Sequence, residues 1–367
     1  MKNVVRKNIL NVKHYVPGKP IEEVQRELRL DDVVKLASNE NCFGPSPKAI
    51  AAVRKNLYKV NRYPDASSFY LKKKMARFLK VNEENLAFGN GSDELIGLAV
   101  RTFVNDGDEV IIARPTFLIY EIAAQLHNAT IRSVPLRKDF KYDLRAMKGA
   151  ISARTKIVFI ANPDNPTGTY VTKDELDDFF NGIPDNVVVF LDEAYFEFAR
   201  FRYPDYPNGL DYLKRPNVIV SRSFSKAYGL AGLRIGYCIS SPEIISYLER
   251  VRDPFNVNLL AQAAALAALD DKEFVKKTLR HVSKERDNLY AAFRRMNLRY
   301  VESATNFVLV DIGRDCGAVF SRLLKEGVIV RDMKAWGLDT FIRVTIGTSE
   351  ENRRFVKALE KILAYSG

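Results

Sequence analysis

The sequence predicts an α/β protein: a large domain on a mostly parallel sheet, followed by a smaller α+β domain. Three observations predict it. The runs "EVIIA" (109–113), "KIVFI" (156–160), "VVVFLDEA" (187–194) and "NVIVSRSFS" (217–225) are each apolar over several consecutive residues, the pattern of strands covered on both faces. Helical stretches separate these runs, an alternation that sets helices on both sides of such a sheet. From about residue 256 the pattern changes to long helix-forming stretches broken by short strand-like runs. The 367 residues suffice for two cores. The boundaries fall at 1–40 for an N-terminal arm that joins the small domain, 41–255 for the large domain and 256–367 for the small one.

Taken in order, the chain before residue 50 is loop-rich ("HYVPGKP", "ASNENCFGPSP") and is expected to drape over both domains. "LKKKMARFLK" (71–80) reads as a helix with Leu71, Met75, Phe78 and Leu79 turned inward. "NLAF" leads into "GNGSDEL" (89–95), a glycine turn feeding a helix. "TKDELDDFFNGI" (172–183) is a helix opened by the capping box of Thr172 and Glu175. In the last third, strand-like "NFVLVDI", a helix from about Gly317, strand-like "GVIVRD" and "FIRVTIG" follow one another. The last helix opens at 348–351 and buries Phe355, Leu359, Ile362 and Leu363.

Composition narrows the function. No apolar run reaches the roughly 18 residues that span a bilayer, and the basic N-terminus lacks the apolar core of a secretion signal. Cys42, Cys238 and Cys316 are odd in number and far apart, as expected of reduced thiols in a cytoplasmic protein. His14, His127 and His281 show no metal-ligand spacing, so no metal is expected. The net charge of +12 raises the alternative of a nucleic-acid binder, which would bind in a salt-sensitive way. The basic residues are spread along the chain, however, and equally suit a small acidic substrate.

Ligands gather at the C-terminal ends of parallel strands, so the polar residues after each strand are compared. In "GNGSDEL", Gly91, Ser92 and Asp93 open a helix whose N–H groups suit a phosphate. A plain strand–turn–helix junction fits equally well, and Glu94 breaks the dinucleotide fingerprint. After "EVIIA" comes Phe117, an aromatic able to stack on a ring. In "NPDNPTG", a turn by composition, Asn165 is placed to hydrogen-bond a ligand over the strand ends. Asp192 ends an apolar strand, where a carboxylate is costly unless it meets a partner; a helix cap or buried ion pair is the bland alternative. Tyr195 lies three residues on. Lys226 follows a buried strand, and an amine near apolar walls and cations has a lowered pKa and attacks aldehydes. Together these groups describe a pyridoxal-phosphate site. Lys226 carries the imine bond, Asp192 keeps the ring nitrogen protonated, and Asn165 and Tyr195 hold the phenolic oxygen. Ser92, Ser223, Ser225 and Arg234 hold the phosphate.

With "NPDNPTG", "DEAY" and "SFSKAYGLAGLRIGY", the chain resembles the fold-type I, class II aminotransferases over nearly its whole length. "HYVPGKPIEEVQREL", "KLASNENCFGPSP", "NRYPDASSFYLKKKMARF", "GVIVRDM" and "FIRVTIGTSEEN" make it most similar to the histidinol-phosphate branch of that family. The resemblance implies a large domain with a seven-stranded, mostly parallel sheet, pyridoxal 5′-phosphate as cofactor and a homodimer with a shared active site. It implies that Arg343 grips the substrate carboxylate, that Arg331 and Tyr15 contact the substrate phosphate, and that Asn39 also meets the substrate. Tyr63 is implied to reach the cofactor phosphate of the neighbouring subunit. It implies Lys226 as general base and acid, with Asp192 and Tyr195 completing the catalytic set. Two departures stand out: Phe117 where the family often has tyrosine, and Asp164 where asparagine is commoner, the latter expected to have little effect. An aromatic amino acid aminotransferase and a threonine-phosphate decarboxylase share the same lysine and remain open at this point.

Overall fold

The computed structural model describes residues 4–12 and 15–364; His14 and the first three residues of the basic N-terminus lie outside them. Strand β1 (Val34–Lys35) belongs to the arm. The large sheet comprises β2 (Leu86–Gly89), β3 (Glu109–Arg114), β4 (Thr130–Pro135), β5 (Thr155–Ala161), β6 (Val188–Asp192), β7 (Val218–Ser223) and β8 (Gly236–Ile239). Their order is β2-β8-β7-β6-β5-β3-β4. From β7 to β4 every neighbour is parallel, whereas β8 runs antiparallel to both β7 and β2.

Continuous apolar runs make the central strands because both faces are covered. Phe159 and Phe190, on adjacent strands, are fully buried. Phe159 stacks on Tyr120 at 4.7 Å and meets Phe190 at 5.2 Å between ring centres. Each such side chain contributes about 2–3 kcal/mol by burial. The helix Lys173–Phe180 starts as expected: the Glu175 N–H donates to Thr172 Oγ1 (3.3 Å) and the Thr172 N–H to Glu175 Oε2 (2.8 Å).

The small unit is an antiparallel sheet of β9 (Arg299–Val301), β10 (Phe307–Asp311), β12 (Arg331–Asp332) and β13 (Phe341–Thr345), in the order β12-β13-β10-β9. It packs with the helices Lys272–Arg295, Cys316–Lys325 and Ser349–Ala364. The segment "GVIVRD" is not one strand. β11 (Val328–Ile329) pairs in parallel with β1 of the arm, and after Val330 the chain steps across to pair β12 with β13. That step sets Arg331 opposite Arg343.

Two expectations, for Phe78 and Leu363, are corrected. The loop-rich chain before residue 50 also contains the helix Ile21–Leu28 and the start of Pro47–Asn56. The latter is capped by Ser46, whose Oγ accepts the Ala49 N–H at 3.1 Å, with proline in the first turn. Phe78 is 46% exposed, while Leu71 and Met75 are buried and Leu79 is partly so. The buried stripe runs through Leu71, Met75 and Leu79 at four-residue steps and leaves Phe78 at its edge. Leu363 likewise is only partly buried. Among the described residues, no helix is long and apolar enough to cross a membrane.

Candidate active site

The ends of β3, β5, β6 and β7 open onto one cavity with about 240 Å³ of water-accessible space, closed from the other side by the arm and the small-domain sheet. At its floor, in the turn after β7, Lys226 points its Nζ at the Ser38 carbonyl, 3.4 Å away. Burial, and after it the Arg343 guanidinium, bring the Lys226 amine down to about 8. An amine in that range keeps a usable neutral, nucleophilic fraction near neutral pH.

Asp192 ends β6 and is 5% exposed. Its Oδ2 accepts the Tyr120 hydroxyl at 2.7 Å and its Oδ1 the Ala194 N–H at 3.1 Å. Burial pushes its carboxyl up to about 6 against the pull of these two donors. A cation beside it would bring the value down again. Tyr195, buried at the start of the next helix, accepts the Asn39 amide at 2.8 Å. That contact leaves the phenol proton free to donate elsewhere. Asn39 is fixed in turn by the Thr345 hydroxyl (3.2 Å) and by its carbonyl to the Asn306 amide (2.9 Å).

The cationic end of the cavity comes from paired strands. Arg343 donates through Nη2 to the Ala37 carbonyl (2.9 Å) and through Nη1 to Asn165 Oδ1. Its Nε is buried with no partner, and burial lowers the guanidinium below its usual range. Arg331 donates to the Val16 carbonyl at 2.6 Å and lies 5.3 Å above the Trp336 ring. Tyr15 lines the same end.

Opposite lies an anion corner. Gly91 sits at φ +84° just before the helix Ser92–Phe103, which has no side-chain cap, so its first N–H groups stay available. A Cβ at Gly91 would come 2.2 Å from Arg234 Nη2, so glycine is what lets the guanidinium lie there. Arg234 Nη2 donates to Asp93 Oδ2 at 3.1 Å, and the Ser225 N–H to Ser223 Oγ at 3.0 Å. Ser92, Ser223 and Ser225 all line the cavity. Open helix N–H groups, three hydroxyls and a guanidinium are the donor set of a phosphate dianion. Phe117, also in the wall, meets Tyr120 edge-on at 5.7 Å.

One predicted site residue is elsewhere. Tyr63 is 82% exposed and stacks on Phe255 at 4.6 Å, outside the cavity. Three others went unforeseen. Tyr120 lies three residues after Phe117, so its reach was legible from helical spacing, but its partner Asp192 is 72 residues away. Trp336, the single tryptophan, donates Nε1 to the Thr116 carbonyl at 2.9 Å. Asp164, expected to matter little, is 1% exposed and is the hub of a polar cluster: its oxygens meet the Thr116, Tyr142 and Thr167 hydroxyls and accept the Thr167 N–H.

The model of the family "Aminotransferase class I and II" matches residues 31–359. A histidinol-phosphate aminotransferase of Moorella thermoacetica is 51% identical over 361 residues, 98% of this chain and 93% of that protein. Histidinol-phosphate aminotransferase 2 of Carboxydothermus hydrogenoformans is 47% identical over 98% of this chain and 99% of its own length. Among solved structures, the histidinol-phosphate aminotransferase of Sinorhizobium meliloti, crystallised in complex with pyridoxal-5′-phosphate, superposes with a TM-score of 0.91. It is 30% identical, covering 99% of this chain and 98% of that one.

Proposed function

This chain belongs to the class I and II aminotransferases, and on that premise we propose that it moves an amino group between histidinol phosphate and 2-oxoglutarate, forming imidazole acetol phosphate and glutamate. The observation that carries the proposal is the pair Arg331 and Arg343, adjacent across β12 and β13 and facing the same cavity as Lys226. Two guanidiniums there suit the phosphate of one substrate and the carboxylates of the other in alternation. The unpartnered Nε of Arg343 is a donor awaiting such an anion.

The residues present fit pyridoxal 5′-phosphate as cofactor. Bound there, it supplies an aldehyde that captures amino groups and a ring that takes up the electrons released at the substrate carbon. The anion corner of Ser92, Ser223, Ser225 and Arg234 would hold its phosphate, and Asp192 would pair with its protonated ring nitrogen. Asn165 and the Tyr195 hydroxyl, aimed by Asn39, would hold its phenolic oxygen, with Phe117 against the ring. The Lys226 amine, when free, would take the proton from the substrate α-carbon and deliver it to the carbon beyond the transferred nitrogen; a lowered pKa serves both directions. The charge of Asp192 is fixed in place beforehand by Tyr120 and the Ala194 N–H, so little reorganisation accompanies the reaction.

The proposal extends to a cytoplasmic homodimer. Tyr63 lines one surface hollow with exposed Val60 and Phe255, the kind of apolar surface a second copy covers. Across that face Tyr63 would enter the other subunit's anion corner. The test is turnover of histidinol phosphate against phenylalanine and tyrosine, each with 2-oxoglutarate, on protein whose borohydride-fixed mass is located at Lys226. A preference for the unphosphorylated aromatics, or release of carbon dioxide, overturns the substrate assignment.

A further inference from the structure

Three oxygens around Asp164 form a closed triangle. Asp164 Oδ1 lies 2.8 Å from Thr116 Oγ1 and 3.0 Å from the Tyr142 hydroxyl, and those two hydroxyls are hydrogen-bonded to each other. A hydrogen bond needs one proton. The triangle has three edges, while Thr116 and Tyr142 supply two protons. The other carboxyl oxygen takes the Thr167 N–H at 3.2 Å and lies 2.8 Å from Thr167 Oγ1, but that hydroxyl is also 2.8 Å from Thr169 Oγ1, and Thr169 gives its own proton to the Phe140 carbonyl at 2.8 Å. Four hydroxyls thus face six oxygen–oxygen contacts, and a proton on the Asp164 carboxyl fills one that they cannot. We propose that Asp164 is a positioning residue that carries a proton in the folded enzyme and thereby ties the turn presenting Asn165 to the wall carrying Phe117.

The surroundings agree. Asp164 is buried, and burial raises its carboxyl to about 6, so the proton is held in mildly acidic solution and is given up as pH rises through neutrality. The titratable groups facing it are the buried phenols Tyr142 and Tyr120, both held neutral well beyond their ordinary range, and Arg343. Arg343 directs Nη1 to Asn165 and Nη2 to the Ala37 carbonyl and forms no ion pair with Asp164. When Asp164 ionises, both hydroxyls turn to Oδ1 and the Thr116–Tyr142 edge has no proton. Those two oxygens then separate. Thr116 precedes Phe117, and its carbonyl holds Trp336, so the substrate wall loosens as pH rises. This functional consequence rests on the aminotransferase reading; the proton itself does not.

The test compares holoenzyme of the wild type with D164N, whose amide has the same shape and brings its protons permanently. The wild-type carboxyl binds its proton more tightly folded than unfolded. Its stabilisation is complete below the unfolded pKa, about 4, and is lost as pH rises through the folded value. D164N should fold, melt at least as high as wild type, and gain several degrees on it between about pH 5 and about pH 8. The KM for the amino donor should rise with pH in the wild type by more than about threefold and stay flat in D164N, with kcat little changed. An ionised carboxylate accepting every donor gives the reverse: D164N unfolded, or melting lower with its deficit greatest at high pH, overturns the proposal. If the aminotransferase reading alone is wrong, both proteins are inactive with these substrates while the melting comparison keeps its expected form.

Discussion

Replacing Tyr120 with phenylalanine isolates one contact of the proposed ring-nitrogen partner. The substitution removes a hydroxyl that donates to Asp192 Oδ2 at 2.7 Å and leaves the ring stack on Phe159 intact. A hydrogen bond to a charged group contributes about 1.5–3 kcal/mol, or about one to two pKa units. The direction follows from burial. Asp192 is already pushed up to about 6, with Tyr120 among the groups holding it down, so losing Tyr120 sends it higher. In the proposed role Asp192 works as an anion, and that role fails as pH falls through its pKa. A bound ring cation lowers that value in both proteins alike, so the difference between them survives. The acid limb of kcat/KM should therefore move up by about one to two pH units, while activity on the alkaline plateau stays within about threefold of wild type. Pyridoxal-phosphate retention, followed by dialysis and visible absorbance, should shift along pH in the same sense. An unmoved acid limb in a variant that keeps its cofactor would refute the claim that Tyr120 tunes Asp192.

Lys226→Ala should show no mass added by borohydride and lose about 10²–10⁴-fold or more in transamination; retained covalent attachment would move the lysine assignment elsewhere. Arg343→Lys, which keeps charge but loses the planar fork, should raise KM for both substrate pairs by about tenfold or more. Arg331→Gln should penalise histidinol phosphate more than 2-oxoglutarate, and equal penalties would argue against a phosphate role. Mixing Tyr63→Ala with Lys226→Ala protein tests the shared site: heterodimers then hold one wholly intact site, so a 1:1 mixture should recover about a quarter of wild-type activity. No recovery means that Tyr63 serves its own subunit. Phe159→Ala should destabilise the fold by about 3–5 kcal/mol, read by denaturant melts.

The central sheet was legible because its strands are buried on both faces, and burial writes continuous apolar runs. The elements that escaped notice lack that signature. β4 reads "TIRSVP" at the sheet edge, with only Val134 fully buried. The four residues of β8 and the three of β9 are too short for periodicity to register. "GVIVRD" is apolar throughout, yet it divides between two sheets because β1 of the arm claims its first half. Nothing local to that run announces a partner some 300 residues away.

The site divides along the same line. Groups that follow a strand directly, such as Asp192 and Lys226, are readable because topology alone brings strand ends together. The groups that set their chemistry are not, because hydrogen-bond partners are chosen in three dimensions. Tyr195 is aimed by Asn39 from the arm, and Asn39 is held by β13 and its neighbours. The arm, β13 and the residue before β10 thus set where the Tyr195 proton points. A variant such as Asn306→Ala, which touches no substrate, should lower kcat rather than raise KM, because it unseats Asn39 and with it the tyrosine. A loss of about tenfold corresponds to one buried hydrogen bond of about 1.4 kcal/mol. An increase in KM at unchanged kcat would instead place the role of Asn306 in binding, and the arm would then be a lid with no hand in proton placement.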